Sequence, residues 1–200
     1  MKKVFFGIVL IFLLFPTCGG KTYLVDLKYV PQTPPGLRVK PALVAVAPFI
    51  DMRSHRNDVG IRKKLDGSVD RYTTAPTSVS DGVKKAVEKF LRGNGFKVVD
   101  IQEWDLKAES LSKIGEDLVV GGQINRFWSR ADSMAGRTII KTELEIAIYL
   151  GKPREGKVLQ QKIEMSREIT QVIFSSEKIE ETFNESLSEI IEDVFAKLLE

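Results

Sequence analysis

The chain has 200 residues, 30 Lys and Arg against 27 Asp and Glu, a formal net charge of +3, one Cys and one His. Charges of both signs are interspersed, so there is no strong field to draw in nucleic acid. A single thiol excludes an internal disulfide framework, and with one imidazole it excludes a Cys/His metal cluster.

Met1-Lys2-Lys3 makes a short positive start, and Val4 to Phe15 carries no charged or polar side chain before Pro16-Thr17-Cys18-Gly19-Gly20 breaks the run. A positive start, a short apolar stretch and a break with small residues is the layout of a secretory signal. A transmembrane helix needs about 20 apolar residues to cross hydrocarbon about 30 Å thick, and this run is too short. The segment resembles a bacterial lipoprotein signal, in which a cysteine follows the hydrophobic run and becomes the acylated first residue of the mature protein. That resemblance implies a signal peptide over residues 1–17 and lipidation of Cys18, although Phe15, Pro16 and Thr17 depart from the usual Leu followed by small residues. Ordinary cleavage near Gly19 or Gly20 is the alternative. Each buried acyl methylene contributes about 0.8 kcal/mol, so two or three chains hold a protein at a membrane where one does not. Loss of Lys2 and Lys3 with the signal removes two of the three net charges and leaves +1.

Residues 18–41 read as a lipidated N-terminus and a Pro-rich tether. Pro31, Pro34, Pro35 and Pro41 favour extended, semi-rigid backbone that would hold a domain off the membrane. Tyr23 to Leu27 is a short strand candidate, and residues 22–29 are equally readable as a strand packed on the body.

The domain proper is expected over residues 42–200. Ala42 to Phe49 is a short apolar run bounded by prolines, as in a buried central strand. The polar stretch Asp51 to Thr77 follows, long for a connection within a domain. Its basic residues Arg53, His55, Arg56 and Arg62, with Tyr72, are the candidate contact residues of a binding loop for a partner protein, an anionic headgroup or a glycan. A solvated hairpin of mixed charge is the plainer alternative. A helix then starts near Thr77, Ser78 or Ser80; Val79, Val83, Ala86, Val87, Phe90 and Leu91 form its apolar stripe, and Gly93-Asn94-Gly95 ends it. Gly82 inside that stripe implies close packing, since glycine there costs about 1 kcal/mol relative to alanine. Phe96 to Val99 is the next strand, and residues 101–116 are ambiguous between a short helix and an edge segment.

Three strands follow. Leu118 to Trp128 is the first. Ile140, Thr142, Leu144, Ile146, Ile148 and Leu150 alternate with polar residues, and the same period of two runs on from Leu159 to Ile173. A helix from about Ser176 to Leu199 closes the chain, with Ile179, Phe183, Leu187, Ile190, Ile191, Val194, Phe195 and Leu198 on one face. The fold class is therefore α/β (α+β): a two-layer sandwich of one βαβ unit followed by an antiparallel β-meander, with two main helices packed on one face of a mixed sheet.

Val44 to Arg53, Val59-Gly60-Ile61-Arg62, Asn94 to Val98, Val120 to Ile124 and the closing helix together resemble the YajG-like and related transport-auxiliary envelope lipoproteins of Gram-negative bacteria. The resemblance implies lipid anchoring, exposure to the periplasm and an outer-membrane address. It brings no catalytic residue. Gly121-Gly122 lacks the lysine and hydroxyl of a phosphate loop, His55 stands alone, and the acidic residues show no pairing suited to acid–base catalysis. The expected function is that of a non-enzymatic scaffold or accessory subunit of a cell-envelope or transport complex, without cofactor or metal, held to the membrane by acyl chains on Cys18 and working on an envelope protein partner. The alternative is a small-ligand or lipid-binding module with an apolar cavity lined by Trp104, Phe127 and Trp128.

Overall fold

The structure is a computed structural model that describes residues 20–32 and 42–198. The expected signal peptide, Cys18 and residues 33–41 of the expected Pro-rich tether lie outside the described residues.

Strand β2 (Leu43–Asp51), helix α1 (Val79–Gly93) and strand β5 (Lys97–Asp100) form the expected βαβ unit, with β5 parallel to β2. Alternation in β2 sorts its residues between two layers. Val44, Val46 and Phe49 face the helices, while Ala45 and Ala47 face a smaller cluster containing Trp104, Leu106, Leu111 and Val119. Helix α1 begins at Ser78, whose hydroxyl accepts the Asp81 N–H at 3.0 Å and satisfies one of the amides left open at a helix start. Its stripe is buried as the spacing predicts. A Cβ at Gly82 would lie 2.9 Å from the Leu27 side chain, so the glycine admits a close neighbour.

Strands β6 (Leu118–Met134), β7 (Arg137–Lys152) and β8 (Lys157–Gln171) are the antiparallel meander. β6 lies parallel to β2 over its first half and, over its second, parallel to β3 (Gly60–Lys63), which turns back as β4 (Val69–Thr73). Ile124 pairs with Ile146 and Arg126 with Glu145, so Asn125 is an extra residue. This bulge reverses which residues face the core: Ile124 and Phe127 are both buried in the main cluster, three positions apart. A Cβ on Gly122 would lie 2.4 Å from the Phe49 ring, so the paired glycines serve close packing.

Helix α2 (Glu177–Leu198) covers the same face as α1, with Phe183 stacked on Phe127 at 4.8 Å and Phe195 on Phe90 at 5.0 Å. The ambiguous 101–116 segment crosses the other face, with one 3-10 turn at Glu109–Lys113. Ile173, assigned by its spacing to the inward row, lies beyond the end of β8 and is exposed.

Of the two alternatives for residues 22–29, the structure has the packed one. Strand β1 (Thr22–Leu24) runs parallel to β4. The chain then follows α2: the N–H groups of Asp26, Lys28, Val30 and Gln32 donate to Glu180, Asn184, Ser188 and Glu192 at 3.2, 2.9, 2.8 and 2.8 Å. Two residues of extended chain advance about 6.2–6.8 Å, close to the roughly 6 Å of four helical residues, so alternate amides meet every fourth side chain. The packed body thus includes residues 20–32.

Candidate functional site

Of the five candidate contact residues, three are committed to structure. Arg53 is buried beneath the β2–β3 connection. Its guanidinium donates to both carboxylate oxygens of Asp51 at 2.9 and 2.8 Å, and to the carbonyls of Arg56, Asp58 and Phe127 at 3.2, 3.2 and 3.3 Å. All five guanidinium N–H groups are used. Burial alone would raise the Asp51 carboxyl, but the hydrogen bonds and charge of Arg53 outweigh it and hold the group below its ordinary value. Arg62 donates from Nε to Ser133 at 2.9 Å and lies 3.6 Å over the Phe174 ring. Tyr72 is fully buried and stacked on Tyr23 at 5.5 Å. Burial pushes its phenol well above the ordinary value, Arg62 opposes this and Asp70 adds to it, so the hydroxyl stays neutral. The β3–β4 hairpin is therefore largely interior on one side, where the plainer sequence reading had it solvated.

His55 and Arg56 remain exposed. His55 approaches Trp128 at 6.3 Å beside a cleft of about 260 Å³ that Ser54, Asn125 and Arg126 also line. Phe127 and Trp128 also border this cleft, but Trp104 does not: Trp104 belongs to the small cluster, the Phe127 ring to the helix-covered core, and Trp128 to the outer face opposite Glu143. Strand alternation parts the neighbours Phe127 and Trp128, and the bulge sets which of them turns inward. Among the described residues no group of three His, Cys, Asp or Glu is placed to hold a metal ion, and no helix is long and apolar enough to cross a membrane.

The largest uncommitted backbone surface is the outer edge of β8. Its 15 residues pair with β7 on one side, and among the described residues no strand pairs with the other. Inward residues Ile163, Met165 and Ile169 pack on the core. Arg167 bridges to Glu185 and Glu189 of α2, each at 2.7 Å. Lys162 pairs with Glu145 at 2.7 Å and Glu164 at 3.0 Å. Charged side chains on an exposed edge discourage indiscriminate strand pairing. Period-two spacing revealed this strand in the sequence but could not show which strand would end the sheet. The polar row on α2 had a signal, the four-residue spacing of Glu180, Asn184, Ser188 and Glu192.

No family model matches the chain, and no curated protein matches it in sequence. Solved structures do share the fold. A Xanthomonas campestris protein of the DUF330 family aligns with a TM-score of 0.54 at 13% identity over 87% of this chain and 92% of that one. An uncharacterized protein aligns with a TM-score of 0.50 at 9% identity over 90% and 99%. The lipoprotein GNA1162 of Neisseria meningitidis gives a TM-score of 0.41 at 14% identity over 80% and 99%. At these identities the first two show a common fold and nothing finer, and the third carries no argument.

Proposed function

We propose that this chain is a non-enzymatic accessory subunit of the cell envelope, related to the YajG-like and transport-auxiliary lipoproteins. Acyl chains on Cys18 hold it to the periplasmic face of the outer membrane, and the outer edge of β8 receives a strand from an envelope protein partner. The long edge of β8, unpaired among the described residues, carries this reading. An added strand gains a ladder of main-chain hydrogen bonds, while alternate side chains confer specificity. The charges of Lys162, Glu164 and Glu168 restrict which strands fit. Among the described residues, none of the five candidate contact residues, the clefts or the acidic residues forms an arrangement that calls for a catalytic reading.

A photo-crosslinking amino acid at Glu164 or Glu168, used in cells, should trap one reproducible envelope protein, and the same probe at Lys107 on the opposite layer should not. Equal yields at both positions, or no adduct at β8, would refute edge pairing. The intact mass of the native protein tests the anchor separately: it should correspond to residues 18–200 plus acyl chains.

A further inference from the structure

We propose that the end of the sheet formed by the β3–β4, β6–β7 and β8–α2 turns rests on the lipid surface, so that the long strands stand away from the membrane; this orientation depends on the anchoring reading above. The course of the N-terminus points to that end. The Lys21 N–H donates to Asp70 at 2.8 Å, and the Arg71 N–H donates to the Lys21 carbonyl at 2.8 Å. Gly20 lies so close to Val69 that a Cβ there would fall 1.5 Å from the Val69 carbonyl oxygen. Because β1 runs parallel to β4, Gly20 and Lys21 lie at the end of β1 nearest the β3–β4 turn. Cys18 is two residues further on, within about 7 Å even if fully extended. The tether expected from the prolines is thus no spacer in this part of the chain.

The same end exposes large apolar side chains. Leu65 is 71% exposed, Met134 45%, Val172 81% and Ile173 85%. They sit on three different turns, yet the turns are neighbours. Lys63 is opposite Asp132, and Thr138 is opposite both Ser133 and Gln171. Arg62 ties β3 to Ser133 and, through the Phe174 ring, to the segment that follows Ile173. Lys21, Lys63 and Arg137 are exposed around this rim and make no ion pair among the described residues, which suits an anionic lipid surface. Asp66 and Glu177 are opposing exposed carboxylates at this end, and Asp132 is occupied by Arg130 at 2.8 Å. Apolar tips with basic neighbours bind interfaces by shallow burial plus charge, the second signal that supplements acyl chains.

The test places tryptophan at the two ends of β8 in the full chain isolated from membranes: Ile173→Trp at the proposed contact and Leu159→Trp at the far end, with Val172→Trp as a second reporter. Each is returned to vesicles of phosphatidylcholine and phosphatidylglycerol, plain or brominated on the acyl chains. The emission added at 173 or 172 should fall at least twofold in brominated vesicles, and that added at 159 should not change. Flotation with vesicles but no quenching at 172 or 173 overturns the orientation alone. Failure to float overturns the anchoring reading and the orientation with it. A blue-shifted, bromine-insensitive emission at 173 together with a dimeric mass would show that a second copy covers this end, and also overturns the proposal.

Discussion

Replacing Asn184 with Leu should release the N-terminal segment from α2 while leaving the sheet intact. Asn184 is only 6% exposed; its side chain accepts the Lys28 N–H at 2.9 Å and donates to the Asp26 carbonyl at 3.0 Å. Leucine fills similar space but leaves both backbone groups unanswered for as long as the segment stays docked. Two lost bonds at about 1 kcal/mol each, plus the cost of groups left unsatisfied, give about 2–4 kcal/mol. The segment cannot lose more than its own docking free energy, because once undocked its amides return to water. Hydrogen exchange should therefore quicken by roughly 30- to 700-fold at Lys28, Val30 and Gln32, at about 1.4 kcal/mol per tenfold. Amides of β2 and β6 should change little. Exchange within threefold of the parent at those three amides would refute the ladder as a source of docking, and equal acceleration across β2 and β6 would refute the segment as a separate opening unit.

Arg53→Met should cost about 3–5 kcal/mol, because it strands the half-buried Asp51 carboxylate beside three carbonyls, and lower Tm by about 6–20 °C; a loss under 1 kcal/mol in urea unfolding would contradict the assigned role. The folded-state pKa of Asp51 is depressed, so its contribution is fully present above the ordinary carboxyl value of 3.8 and disappears as pH falls through the lower folded value. Asp51→Asn should be less stable at pH 7 and should lose less on acidification below about pH 4 than the parent, compared by urea midpoints at pH 7, 4 and 2; parallel curves would show that the pair is not the acid-sensitive element. Gly122→Val should cost about 1–3 kcal/mol or more, since its Cβ would fall 2.4 Å from the Phe49 ring and 2.6 Å from the Ala147 carbonyl oxygen; an unchanged thermal midpoint would count against close packing there.

The elements whose burial follows one period were legible in the sequence. The α1 stripe from Val79 to Leu91, the alternation of β7 and the apolar face of α2 all stand where their spacing puts them. What escaped were features set by partners distant in sequence. Asn125 carries no local mark of a bulge, yet it decides that Phe127 turns inward and Trp128 outward. Arg53 reads as a surface charge until Asp51, Asp58 and Phe127 are brought around it. In the sequence, residues 26–29 are open between tether and packed strand and residues 30–32 read as tether, because the groups that hold them are side chains of a helix roughly 150 positions later. Their alternate-residue spacing matches a four-residue spacing on α2, a correspondence visible only when both elements are known to be adjacent. For the candidate site the limit was sharper: composition marked Asp51 to Thr77 as unusual, and the structure spends most of its distinctive residues on internal packing.

The docked N-terminus and the edge strand bear on one another through geometry. β7 has 16 residues, so at about 3.3 Å per residue the meander is roughly 50 Å long. If the end near Gly20 meets the lipid surface, the outer edge of β8 rises along that length and faces sideways, where a partner's strand reaches it without displacing lipid. A long flexible leash would allow the edge to point in any direction and would dilute it over a wide volume. Pairing residues 21–25 with β4 shortens that leash to the residues nearest Cys18, which raises the local concentration of the edge at a fixed height above the surface. Asn184→Leu therefore has a limited consequence in the anchored protein. It frees residues 26–32 from α2 but leaves residues 21–25 paired with β4, so the contour between lipid and body does not lengthen and the trapping yield at Glu164 should match that of the parent. A fallen yield, with Lys28, Val30 and Gln32 shown by exchange to be undocked, would mean that the pairing of β1 with β4 does not by itself hold the body to its anchor.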